Sequence, residues 1–330
     1  MIGRAAVLAG LGGWLPPRTV TNEDLAQRLD TSDEWIRSRT GIRVRHVVER
    51  GSATSALAAE AGRRALKSAQ TEHADAVVLA TTTPDRPCPA TAPEVAGRLG
   101  LTGAAAFDVN AVCAGFVYAL ATGGGLIASG VAERVLVIGA DTFSTLLAPG
   151  DRTTAVIFGD GAGAVLLRRG EPEEPGALGP FDLGSDGSRH DLITVRAGGS
   201  QQRASGESAL PEEHFLSMAG RPVFKHAVTR MTESVQRLLA EAGWRTADVD
   251  RFVAHQANAR ILAALAESLE LPEEKVVSNI DRVGNTVAAS IPLALADGGL
   301  RAGDRTVLTS FGGGLAWGST LLTWPELTVC

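Results

Sequence analysis

The chain has 330 residues, 45% of them hydrophobic and 21% charged, with a formal net charge of −6. That composition belongs to a soluble globular protein able to bury a large core. The acidic balance leaves no basic excess to neutralise phosphates, which excludes nucleic acid as the main partner. Three cysteines, Cys88, Cys113 and Cys330, are too few and too scattered for a disulfide framework or a zinc site. No metal is expected, and a reducing, cytoplasmic setting suits the free thiols. The start, MIGRAAVLAGLGGWLPP, lacks a charged-apolar-cleavage pattern and is read as a first strand and turn, not a signal peptide. No uninterrupted apolar run approaches about 18 residues, so no membrane span is expected.

In chain order, Ala5 to Gly12 reads as a strand closed by Pro16-Pro17. Thr21 or Asn22 can cap a helix starting at Glu23. Thr31 to Ile36 is a second helix start with acids in its first turn. Thr54 to Ala69 carries Ala and Leu at helical spacing, and Ala76 to Thr81 is a buried strand. Pro84 to Pro93 is a shaped loop with four prolines, followed by a short helix over Val95 to Leu99. Phe107 to Asn110 ends a strand, and a small-residue helix follows it. Arg134 to Gly139 is a strand, and Ala155 to Leu167 reads as two strands around a Gly-rich bend.

The second half repeats this order. Phe224 to Ala240 is a helix, Arg251 to Ala254 a strand, Ala259 to Leu269 a helix and Val276 to Ile280 a strand. Gly284 to Ala296 is a small-residue helix, Thr306 to Thr309 a strand, and FGGGLAWGSTLLTW mirrors the Gly-rich strand pair. Asp75 to Asp108 spans 33 positions and Asp250 to Asp281 spans 31; Cys113 to Glu133 spans 20 and Asn285 to Asp304 spans 19. Two halves of one α/β architecture follow, residues 1–170 and 171–330, with parallel-rich sheets covered on both faces. Residues 171–223 lack the repeat and form a connection and surface excursion.

The chemistry centres on Cys113, placed where strand becomes helix. Dipole and unpaired N–H groups there favour thiolate, the reactive form. Cys113 and Asn285 start equivalent helices, and His255 ends the strand equivalent to Ala76 to Thr81. A pseudo-dyad would bring a thiol, an imidazole and an amide to one point. Each residue alone also has a plain structural use: a packed Cys, a strand-end His, a turn Asn.

At TSDEWIRSRTGI (31–42), DVNAVCAGFVYAL (108–120), GDGAGA (159–164), HQANARI (255–261), GNTVAASIP (284–292) and FGGGLAWGS (311–319), the chain resembles the beta-ketoacyl-acyl carrier protein synthase III family of the thiolase superfamily. The resemblance runs nearly end to end. It implies a five-layered αβαβα thiolase-like fold, a homodimer, and a Cys-His-Asn triad. Cys113 would take the acyl group from an acyl-CoA. His255 and Asn285 would stabilise the enolate formed as a malonyl thioester loses carbon dioxide. The N–H groups of Cys113 and Gly313 would form the oxyanion hole. Phe311 would line the decarboxylation site, and Trp35 with Arg39 and Arg152 would hold coenzyme A. No cofactor is implied beyond the coenzyme A thioesters that are substrates.

Three positions depart from the family pattern. Cys88 stands where a bacterial member has Phe, in a loop that closes the partner's acyl pocket, so a deeper pocket is expected. Lys225 and Arg260 keep basic positions for docking an acyl carrier protein, but Glu267 and Ser268 replace a basic pair. The segment from Ala296 to Gly303 is shorter than in the family. The expected activity is acyl-CoA-primed decarboxylative condensation by an acyltransferase, in starter-unit formation for fatty-acid or polyketide biosynthesis. The alternatives are transfer of the Cys-bound acyl group to a hydroxyl or amine, and a non-catalytic partner subunit. Retention of Asn285 and of all three reactive residues favours condensation.

Overall fold

The computed structural model describes residues 4–330. Strand β1 (Ala5–Trp14) leads to helix α1 (Asp33–Thr40), whose first turn is capped by the Ser32 hydroxyl accepting from Trp35 N–H. Gly41, at φ 77°, ends it in the left-handed conformation that a side chain would resist. Helix α2 (Thr54–Ser68), strand β2 (Ala76–Ala80), helix α3 (Ala92–Arg98) and strand β3 (Ala105–Val109) follow. Helix α4 (Gly115–Ala128), strand β4 (Arg134–Asp141) and strand β5 (Gly161–Gly170) complete the half. The sheet order is β1-β5-β4-β2-β3.

The second half supplies strand β6 (Phe181–Ser185), helix α5 (Gly220–Glu241), strand β7 (Arg251–Ala254) and helix α6 (Ala259–Ser268). Helix α7 (Ser290–Asp297), strand β8 (Arg305–Gly312) and strand β9 (Ala316–Thr323) follow. Its sheet order, β6-β9-β8-β7, repeats the first four strands of the first sheet with the same parallel and antiparallel sense.

Apolar runs explain the layering. Helices α2 and α3 cover the outer face of the first sheet; α4 and α7 lie between the sheets; α5 and α6 cover the outer face of the second. Three large buried clusters fill the spaces. Five layers result, αβαβα, as the resemblance implied. Small residues allow the central layer to be thin: a Cβ on Gly139 of β4 would collide with the Ala288 carbonyl oxygen.

Two expected strand assignments fail. Residues 155–157 form turns, not a strand, and only Phe158 makes an isolated bridge, to Asn285. The apolar letters there are buried against Arg45 and the Asn285 loop, which apolarity alone cannot distinguish from strand burial. Val276 to Ile280 is likewise no strand. Val276 makes a single parallel bridge to Phe252, and the chain turns into a short helix, Ile280–Val283. The second sheet therefore lacks a full equivalent of β3. Asn285 also precedes its helix instead of lying in it: a 3-10 turn, Val287–Ala289, comes first. The true match between halves is Asn110-Ala111-Val112-Cys113 with Asn285-Thr286-Val287-Ala288, not Cys113 with Asn285.

Candidate active site

The matched loops share one device. Val112 and Val287 adopt φ 48° and 53°, left-handed conformations that cost a β-branched residue about 1–3 kcal/mol. In each, the Asn two residues earlier accepts the Val N–H through its side-chain oxygen, at 3.2 Å for Asn110 and 2.9 Å for Asn285. This turn sets Cys113 in a one-turn 3-10 helix, Val112–Ala114, at the head of α4. Strand β8 ends hard against it: a Cβ on Gly312 would lie 2.7 Å from the Cys113 nitrogen.

Cys113 is buried, and the expectation of a resting thiolate is corrected here. Burial, followed by the nearby Asp141 carboxyl, pushes the thiol well above its ordinary value. Desolvation disfavours the charged thiolate and is the largest cause. Asp141 ends β4, fully buried, and accepts from the N–H groups of Thr82 (2.7 Å), Thr83 (3.2 Å) and, across the halves, Ala288 (3.1 Å). The Thr81 and Thr83 hydroxyls also donate to it. Burial pushes its carboxyl up to about 7.

His255 follows β7 and is 3% exposed. Its backbone N–H donates to the Thr309 carbonyl, and its Nδ1 lies 2.6 Å from the Ser290 hydroxyl oxygen. Burial pushes the imidazole down to about 3, so the ring is neutral. With Nδ1 engaged, Nε2 is the free ring nitrogen. Asn285 is fixed in the same manner. Its backbone pairs with Ile157 and Gly159, and its Oδ1 takes the Val287 N–H, which leaves the Nδ2 hydrogens as free donors.

Cys113, His255, Asn285 and Phe311 line one cavity of about 160 Å³, walled mainly by apolar side chains such as Val223, Phe224 and Ile261. The expected triad and Phe311 thus meet. A dry pocket holding a thiol, a neutral imidazole and free amide hydrogens can accept an acyl group, and any N–H donor there stabilises charge on an oxygen. Gly313 is buried in the turn after β8, and a Cβ on it would sit 3.4 Å from Val112 Cγ2, beside the Cys113 loop. A second cavity, of about 820 Å³, shares Val112, Phe143 and Ile193 with the first. Phe143 packs against Phe158, with ring centroids 4.6 Å apart and planes tilted by 39°, and lines both cavities.

Trp35 lies half-exposed on α1, flanked by the Arg39 guanidinium at 6.0 Å and that of Arg152 at 5.4 Å from its ring centre. Arg152 is held by donating to the Asp30 carbonyl at 2.7 Å. Lys225 on α5 and Arg260 on α6 are exposed, on the helices that wall the Cys113 cavity. Cys88 is exposed in the Pro-rich loop and does not line the cavity of its own chain. Ser290 and Gly312 escaped sequence reasoning. Ser290 lies 35 residues from His255, and only the string GNTVAASIP hinted at it. Gly312 was hidden among three consecutive glycines. Among the described residues no cluster of His, Cys, Asp or Glu could hold a metal ion, and no helix is long and apolar enough to cross a membrane.

The chain is similar to known proteins in both halves. Residues 107–187 match the family model for 3-oxoacyl-[acyl-carrier-protein] synthase III, and residues 239–324 match the model for its C-terminal part. A beta-ketoacyl-[acyl-carrier-protein] synthase III of Streptomyces coelicolor is 61% identical over 330 residues, covering 98% of each chain. A Pseudomonas aeruginosa synthase III is 55% identical over 329 residues, also covering 98% of each. The crystal structure of a 3-oxoacyl-(acyl carrier protein) synthase III from Pseudomonas aeruginosa superimposes with a TM-score of 0.92 at 53% identity, covering 98% of this chain and 100% of that one. A priming beta-ketosynthase of a polyketide biosynthetic pathway gives a TM-score of 0.90 at 32% identity, covering 98% and 97%. With its fold and both halves matched, the chain belongs to the beta-ketoacyl-[acyl-carrier-protein] synthase III family.

Proposed function

We propose that this starter-unit condensing enzyme works through Cys113, His255 and Asn285 in two half-reactions. Cys113 Sγ attacks the carbonyl of an acyl-CoA, and coenzyme A leaves as a thiol that carries away the Cys113 proton. No net proton is released, which suits a nucleophile that rests as a thiol. A malonyl thioester then loses carbon dioxide, and its electron pair becomes an enolate. His255 Nε2–H and Asn285 Nδ2–H donate to the enolate oxygen. The enolate carbon attacks the Cys113 thioester, forming the carbon–carbon bond, and the departing sulfur takes one proton from solvent. Tetrahedral charge in both steps falls to the Cys113 and Gly313 N–H groups.

One observation carries this reading: in a shared apolar cavity, Asn285 keeps its amide hydrogens free and a neutral His255 keeps Nε2 free beside a buried thiol. Simple acyl transfer to a hydroxyl or amine would call for a base, and a ring held near 3 is a poor one. Trp35 between Arg39 and Arg152 supports a coenzyme A adenine site. The second cavity beyond Phe143 supports acyl chains longer than acetyl. The outer edge of β3 is unpaired and partly exposed, which supports a homodimer through that edge, with the Cys88 loop reaching the partner's pocket. Lys225 and Arg260 are the docking residues we assign for a carrier protein, the alternative malonyl donor being a free coenzyme A thioester.

The test is intact mass after incubation with an acyl-CoA panel, together with carbon dioxide release from malonyl thioesters. Wild type should gain one acyl unit and Cys113→Ala none. His255→Ala and Asn285→Ala should still be acylated but lose decarboxylation by about 10²-fold or more. Acylation at Cys88 or Cys330, or acylation without any carbon dioxide release, would overturn the reading.

A further inference from the structure

The reactive form of His255 depends on which ring nitrogen carries the hydrogen. A neutral imidazole can donate to an oxygen in the cavity only if Nε2 is protonated and Nδ1 is not. We infer that Ser290 enforces that tautomer and is therefore a positioning residue for the condensation. The inference rests on the role proposed above for His255.

The hydrogen-bond count around Ser290 carries the argument. Ser290 begins α7 and is 1% exposed. Its oxygen lies 2.6 Å from His255 Nδ1 and 3.4 Å from the Gln256 nitrogen, and among the described residues it has no other partner. The Gln256 N–H can only donate, so it uses one of the two acceptor positions on the serine oxygen. A hydroxyl has a single hydrogen. If Ser290 donates it to Nδ1, every polar atom of the pair is satisfied and Nε2 keeps the ring hydrogen. If Nδ1 carried the hydrogen instead, it would donate to the serine, and the hydroxyl hydrogen would have no acceptor in a dry site. The order is then Gln256 N–H to Ser290 Oγ, Ser290 O–H to His255 Nδ1, and His255 Nε2–H into the cavity. The ring's own backbone N–H is already tied to Thr309, and the Gln256 side chain is tied to the Ala254 and Val277 carbonyls, so neither competes for the serine. Burial keeps the ring neutral, and the serine decides which neutral form it takes.

The experiment is nitrogen-15 NMR of full-length enzyme labelled at histidine, near neutral pH, on wild type, Ser290→Ala and Ser290→Thr. The wild-type His255 should show an unprotonated Nδ1 and a protonated Nε2. Ser290→Ala should lose that bias, and decarboxylation should fall at least tenfold while acylation of Cys113 proceeds. Ser290→Thr, which keeps the hydroxyl, should restore both the tautomer and most of the rate. A protonated Nδ1 in the wild type overturns the inference whatever the kinetics, and needs no variant to fold. An unchanged tautomer in Ser290→Ala also overturns it. The wild-type tautomer as inferred, with His255→Ala still decarboxylating at full rate, would overturn the role of His255 and leave the serine's effect on the ring standing.

Discussion

Gly312→Ala isolates how closely the end of β8 must approach Cys113, the proposed nucleophile. Gly312 does not occupy the left-handed region, so its backbone accepts an alanine and the effect is steric. The added methyl would stand 2.7 Å from the Cys113 nitrogen, and 3.1 Å from both the Ala114 nitrogen and the Cys113 Cβ. Ordinary contact is about 3.5 Å, so one backbone must retreat by roughly 0.8 Å. A displacement near 1 Å at reacting atoms costs about 10²-fold in rate, and the methyl would also shield an N–H assigned to the oxyanion hole. Acylation of Cys113 should therefore slow by about 10²-fold, followed as a mass time course with a saturating acyl-CoA. Overpacking should lower stability by about 1–3 kcal/mol. Gly62→Ala is the control: its methyl would meet only the side-chain ends of Leu99, Leu136 and Ile138, so stability shifts but acylation does not. A Gly312→Ala enzyme that is folded and acylated at the wild-type rate would refute the close approach as a determinant of reactivity.

Burial pushes the Asp141 carboxyl from its ordinary 3.8 up to about 7, so between these values the folded state holds a proton the unfolded state has released. Its contribution to stability is full below pH 4 and falls as pH rises to 7, by up to about 1.4 kcal/mol per pH unit. The stability difference between wild type and Asp141→Asn, from denaturant titrations, should shrink over that window; a flat difference means that the five hydrogen bonds keep the carboxylate ionised. Trp35→Ala should raise KM for an acyl-CoA about tenfold, since base stacking is worth about 1–3 kcal/mol, yet leave a truncated thioester without adenine unaffected; equal losses for both would remove Trp35 from coenzyme A binding. Glu267 lies seven residues from Arg260 on α6, about 10 Å along the helix, near one screening length. Glu267→Lys should thus speed turnover with an acidic malonyl-carrier protein only a few-fold at low salt and not at high salt, and a salt-independent gain would contradict electrostatic steering.

Much of the fold was legible because buried parallel strands read as unbroken apolar runs: Ala76 to Ala80, Arg134 to Asp141 and Arg251 to Ala254 stand where those runs do. The same rule misled at Ala155 and Val276, where partly buried apolar residues stand in turns and at a sheet edge. The repeat and the family strings pointed to the convergence of Cys113, His255 and Asn285 on one cavity, but not to the local geometry there. Periodicity cannot show that Val112 and Val287 hold left-handed backbones, because β-branched residues rarely do and only the Asn side chains at 110 and 285 compensate them. Those turns explain why the two halves contribute different chemistry from one loop shape. In each, the asparagine oxygen is consumed by the valine N–H. In the first half Asn110 is exposed and the residue three places on, Cys113, turns its sulfur into the cavity. In the second half that place is Ala288, whose N–H is taken by Asp141, and Asn285 itself is buried on the cavity with its amide hydrogens free. The same backbone turn thus presents its fourth residue, the proposed nucleophile, on one side of the pseudo-dyad and its first, the proposed donor, on the other, and the buried Asp141 carboxyl ties the two sides together.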